Sequence, residues 1–155
     1  MGNTTPVAFD PAPLALGTVK SYLAASAILA GQIVSFAAAG ATETVAPSTS
    51  SLGSPVGVAL YSQATPGGVV AVAGDGSVVK VMLSTDNGTV DAGHWVSVST
   101  IAGCAVLFDP ARANNAGEAA GLFPIGKAID DITTGAANVG GKGYIIINRA
   151  PIWTA

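Results

Sequence analysis

The stretch Ala30-Gly-Gln-Ile-Val-Ser35 returns as Ala92-Gly-His-Trp-Val-Ser97, 62 residues further along the chain. Outward from it, the echo continues in the same order. Gly40 is answered by Gly103 and Pro47 by Pro110, both at an offset of 63. Pro55-Val-Gly-Val-Ala59 is answered by Pro124-Ile-Gly-Lys-Ala128 at 69, and Gly67-Gly68 by Gly140-Gly141 at 73. Ordered matches of this kind identify an internal repeat. The offset only grows, which places the residues gained by the second copy chiefly in Arg112-Ala-Asn-Asn-Ala-Gly-Glu-Ala-Ala-Gly121. Repeat units of about 28–83 and 90–148 follow. Each is marginal alone, so the two are expected to share one core.

The residues inside the repeat are those of strands. Ile33-Val-Ser-Phe36, Val56-Gly-Val-Ala-Leu-Tyr61, Val69-Val-Ala-Val72, Val78-Val-Lys-Val-Met-Leu83, Trp95-Val-Ser-Val98, Ala105-Val-Leu-Phe108 and Tyr144-Ile-Ile-Ile147 are short and rich in β-branched or aromatic residues. Each is bounded by Gly, Pro, Asn or Asp. Asp75-Gly76 and Asn87-Gly88 supply the positive φ of tight hairpins. In Pro-φ-Gly-x-Ala (φ here an apolar residue), the Gly and Ala allow another backbone or a large side chain to approach closely. The expectation is an all-β fold, a small barrel or sandwich built from two repeated units across residues 21–150. Residues 21–29 allow one short helical turn.

The ends differ. Residues 1–20 form an extended arm, because Pro6, Pro11 and Pro13 restrict the backbone and carry Val7, Phe9, Leu14 and Leu16 between and after them. Residues 151–155 form a tail with Ile152 and Trp153. Leaving such side chains in water forfeits roughly 1.5–3 kcal/mol for each large one, so these six residues are the candidate contacts with a neighbouring subunit or another partner chain.

Composition limits the function. Half of the 155 residues are hydrophobic and only 10% are charged, against about 25% in an ordinary soluble domain. Ala, Gly, Ser, Thr and Val must then cover much of the surface, a composition close to that of a subunit interface. The net charge of −3 and six scattered basic residues exclude nucleic acid as the main partner. Leu23 to Ala41 is free of charge but too rich in Ala, Ser and Gly for a membrane span. No basic-then-apolar leader opens the chain, so the sequons at Asn3 and Asn87 are chance matches. Cys104 lies in apolar sequence and reads as a small buried hydrophobe.

Catalytic chemistry finds no foothold. His94 is the single histidine, set between Gly93 and Trp95 at a strand start, and reads as a surface or turn residue. Asp130 and Asp131 are adjacent, so on a strand they would point to opposite faces. Asp75-Gly76 and Asp86-Asn87-Gly88 lack the remaining oxygen ligands of a calcium loop. Gly140-Gly-Lys-Gly143 lacks the spacing and hydroxyl of a phosphate loop. Trp95 and Trp153 are read as core and interface aromatics. No enzyme, cofactor or metal is expected.

The order Ala-Gly-x-φ-Val, Gly turn, Pro-φ-Gly-φ-Ala, Gly-Gly, apolar strand resembles the capsid cement (decoration) proteins of tailed viruses. It is similar in particular to the small β-rich family encoded beside major capsid genes. The resemblance covers about residues 28–148, through Gly31-Gln-Ile-Val34, Pro55-Val-Gly-Val-Ala59, Val69-Val-Ala-Val72 and their second copies. It implies a compact barrel or sandwich, trimers or dimers on capsid symmetry axes, and no catalysis. The expected partners are a major capsid protein and further copies of the chain, a homotrimer first, with no nucleic acid and no membrane. The expected location is the outer capsid surface of a virion assembled in a host cytoplasm. A receptor-binding or adhesin-type fibre module is the alternative. The long arm and the full second copy depart from the family pattern.

Overall fold

A computed structural model describes residues 11–49, 55–84, 89–108, 124–131 and 141–148. Ten strands follow one another: β1 (Val19–Ala24), β2 (Ile33–Phe36), β3 (Thr44–Pro47), β4 (Pro55–Ala59), β5 (Val69–Ala73), β6 (Val78–Leu83), β7 (Trp95–Val98), β8 (Ala105–Leu107), β9 (Pro124–Ala128) and β10 (Gly141–Ile147). They close into two five-stranded barrels, β1-β3-β2-β4-β5 and β6-β8-β7-β9-β10. The fold is all-β, and the repeat is real. In both barrels the first and third strands run parallel and every other pair is antiparallel.

The match extends to single irregularities. In the first barrel, β2 slips register against β4 between Val34 and Ser35, opposite Pro55. In the second, β7 slips against β9 between Val96 and Ser97, opposite Pro124. Proline has no N–H for the ladder, and a bulge is one of the places where a sheet tolerates it. Two residues on, Gly57 and Gly126 pair with Val34 and Val96. A Cβ at Gly57 would run into the Ala73 carbonyl, and one at Gly126 into that of Ile146. The Pro-x-Gly signature therefore encodes a bulge followed by a close strand crossing.

Three expectations need correction. First, residues 21–29 hold no helical turn, because β1 runs through Ala24 and pairs with β5 from Val19↔Ala73 to Leu23↔Val69. A partner strand overrides the helical preference of a short Ala-rich segment. Second, each unit starts one strand earlier than the sequence echo. β1 belongs to the first barrel rather than to an arm ending at residue 20, and β6 opens the second barrel instead of closing the first. Asp75-Gly76 looked like a hairpin between β5 and β6. Gly76 does take φ +82°, but β5 and β6 do not pair, and the turn is the hand-over between barrels. Third, the offset does not only grow. Strand registers align Val45 with Ala105 and Pro47 with Leu107, an offset of 60, since the first copy has the longer β2–β3 loop. Pro110 lies outside the described residues, as does Asn87-Gly88.

The core has two parts. Ala24, Ile28, Val34, Val45, Val56, Ala59, Val70 and Val72 fill the first barrel. The second cluster holds the interior of the other barrel, including Val79, Val81, Val96, Val98, Ile125 and Ile145, and it also takes in Ile33, Val58 and Ala73 of the first. These three are register neighbours, and each stands next to an inward residue, Val34, Ala59 or Val72. Strand alternation turns them outward from their own barrel and onto the other. Among the described residues no helix is long and apolar enough to cross a membrane.

Candidate assembly surfaces

The lone histidine performs a structural job. The N–H of His94 donates to the Asp91 carbonyl at 3.0 Å, closing a turn with Gly93 at φ +88°. Its Nδ1 accepts from the Asp91 N–H at 3.1 Å. At the equivalent turn of the first barrel, the Gln32 N–H donates to the Leu29 carbonyl and Gln32 Oε1 accepts from the Leu29 N–H at 2.8 Å. Glutamine and histidine thus do the same work with different acceptors. Asp131 Oδ1 accepts from the Ala92 N–H at 2.9 Å and braces the histidine turn, while Asp130 is exposed beside it. Among the described residues no group of three or more His, Cys, Asp or Glu could hold a metal. Lys142 lies in β10, paired with Met82, and Cys104 is buried.

Of the six apolar end residues, Leu14 and Leu16 are exposed; Val7, Phe9, Ile152 and Trp153 lie outside the described residues. The backbone around Leu14 and Leu16 is held by the second barrel. The Leu14 N–H donates to the Val78 carbonyl, the Val78 N–H to Ala15, and the Lys80 N–H to Pro11. Further along, the Gly17 N–H donates to Ser77 Oγ at 2.9 Å. The segment is clipped to the edge of β6 by its backbone while its two leucines point outward.

Two further surfaces escaped the sequence reading. On the second barrel, Trp95, Ile129, Tyr144 and Ile146 form a half-buried to exposed apolar row, with Lys127 Nζ 4.9 Å from the Trp95 ring centroid and Lys80 Nζ 5.1 Å from that of Tyr144. Trp95 is therefore a surface-row aromatic, not an interior one. On the first barrel, Lys20, Ser21, Tyr22, Leu23, Thr42, Glu43 and Val69 line a depression of about 310 Å³. The missed signal lay where the copies disagree. Ile33, Val58 and Ala71 correspond to Trp95, Lys127 and Tyr144, and a change from small aliphatic to large or charged marks a change of environment.

Tandem five-stranded mixed barrels with exposed apolar rows are the architecture of the chain. The fold is similar to that of the head fiber gp8.5 N base of bacteriophage phi29, with a TM-score of 0.52 at 14% sequence identity, over 88% of this chain and 98% of that one. No protein-family model and no curated protein matches the chain.

Proposed function

We propose that the protein is a virion structural protein that binds the outer surface of a viral capsid and stabilises it, as a cement or decoration protein. Its partners in this reading are the major capsid protein and further copies of itself, a homotrimer first, and it carries out no catalysis. The observation that carries the reading is the similarity in fold to the phi29 head fiber base, which is matched over 98% of its length. A chain with only 10% charged residues and outward apolar side chains at Leu14, Leu16, Ile129 and Ile146 supports it from the physical side, because such patches mark contact sites. The alternative is a fibre or adhesin module. That the named neighbour is a base favours attachment to a particle over receptor capture.

The test is add-back. Capsids lacking the protein are incubated with it, sedimented, and heated with genome or dye release as the readout. Co-sedimentation at fixed stoichiometry and a raised release temperature are expected. A Leu14→Ser/Leu16→Ser variant should keep its fold and lose retention on capsids. No co-sedimentation, combined with saturable binding to host cells, would overturn the cement reading in favour of the fibre alternative.

A further inference from the structure

The two barrels are stacked head to tail. The outer row of the first, Ile33, Val58 and Ala73, joins the core cluster of the second barrel. The backbone around Ile33 meets the turn at 101–104 and the end of β6, and β4, which carries Val58, lies against β9. The Ile33 N–H donates to the Gly103 carbonyl at 2.9 Å, and the Gly103 N–H to that of Ser48 at 2.8 Å. Gln32 Nε2 donates to the Ala102 carbonyl at 3.3 Å, and the Met82 N–H to that of Gly31 at 3.3 Å. An outer row thus meets a turn side, two different surfaces. Such a heterologous contact leaves one unused copy of each surface, and it can repeat from molecule to molecule.

Among the described residues, both unused surfaces are open. On the second barrel, the equivalents of Ile33, Val58 and Ala73 are Trp95, Lys127 and Ile146, with Ile146 38% exposed. On the first barrel, Leu23 stands where the second has Met82, and exposure rises from 3% to 40%. The two turns tell the same story. A Cβ at Gly103 would press on the Gln32 side chain, whereas one at Gly40, also at positive φ, would meet nothing within 4 Å among the described residues. The open turn side includes the depression lined by Leu23, Glu43 and Val69.

We infer that a second copy of this chain covers these faces, the outer row of its second barrel seating on the turn side of the first barrel of its neighbour. The internal seam is the template. The turn at 91–94, equivalent to the turn at 29–32 that reaches over Gly103, enters the depression. Charges agree, with Asp91 and Lys127 on one face and Lys20 and Glu43 on the other. One bond of the template does not transfer, because the Leu23 N–H already donates to the Glu43 carbonyl. The contact between copies is accordingly more apolar than the seam within one chain. The inference deepens the homo-oligomer part of the proposed function and rests on that part alone, not on capsid attachment.

The test is the mass of the full chain in solution by light scattering and sedimentation across a concentration series. The wild type should assemble. Ile146→Glu and Leu23→Glu, both at exposed positions, should fold with unchanged circular dichroism and weaken assembly by about tenfold or more, since each sets an unpaired charge against an apolar face. An equimolar mixture of the two variants should form a two-chain species that neither forms alone, because each keeps the face the other has lost. A pair of charge swaps, Lys127→Glu with Glu43→Lys, should restore what either alone weakens. A wild type that stays monomeric at its highest soluble concentration would overturn these surfaces and the homo-oligomer together. A wild type that assembles while both variants assemble equally well would overturn the surfaces only.

Discussion

The two barrels share a ladder and differ in what stands outside it. Strand order, parallel pair, bulge and close glycine crossing are the same in both. The outer row is aliphatic and fully buried in the first barrel, where it packs on the second. In the second it is Trp95, Lys127 and Ile146, half-buried to exposed. The ladder depends on backbone geometry that few residues satisfy, so Pro and Gly stay in place at the bulge. The outer row answers only to its neighbour, and it changes when the neighbour changes.

Truncating equivalent residues should break the comparison most strongly. Ile33→Ala removes a buried side chain from the seam and is expected to cost about 2–5 kcal/mol. Trp95→Ala, on the open row, should cost under about 1 kcal/mol, in the range of surface substitutions. Denaturant unfolding of the two variants measures the difference, and equal costs would mean that the seam is not core.

The serines at the bulges give a smaller contrast. The hydroxyls of Ser35 and Ser48 hydrogen-bond to each other in a buried position. In the second barrel the position of Ser48 is held by Phe108, and buried Ser97 Oγ has no hydrogen-bond partner among the described residues. Ser35→Ala should destabilise by about 1–3 kcal/mol by stranding Ser48, whereas Ser97→Ala should be neutral or stabilising. Melting temperatures read the sign of each.

The smallest effect is expected at the turns. Gln32 is buried and bonds both the Leu29 N–H and the Ala102 carbonyl across the seam, while His94 is exposed and closes only its own turn. Gln32→Ala should cost about 1 kcal/mol, near the net value of an ordinary hydrogen bond. His94→Ala should cost under about 0.5 kcal/mol, as at other surface positions.

Much of this fold was legible in the residues, for physical reasons that can be named. Strands of Val and Ile bounded by Gly and Pro announce themselves, and the Gly of Pro-x-Gly marked a close approach, while the bulge opposite its Pro is a matter of register that only the paired strand reveals. β1 was hidden because Lys20, Ser21 and Ala24 carry no β-branched pattern, and its strand state comes from pairing with β5. The Asp75-Gly76 turn misled because a turn dipeptide between two Val-rich strands has the same local chemistry whether the strands pair or part. Only closure of each barrel decides that, and closure is a long-range property. Of the candidate contacts, Leu14 and Leu16 were readable as apolar residues after the prolines. The row at Trp95 and Ile146 was not, because an outward residue on a strand looks the same in sequence whether or not another barrel covers it.

The central claim is that the outer face of one barrel is part of the core of the other. Residue-resolved amide hydrogen exchange tests it most directly, through the Ile33 N–H bonded to Gly103 and the Gly103 N–H bonded to Ser48. Both should exchange only through global unfolding, at the same free energy as interior amides such as Val34 and Val96. If Ile33 and Gly103 exchange through a low-energy opening while Val34 and Val96 remain protected, the barrels part from each other and the claim is wrong.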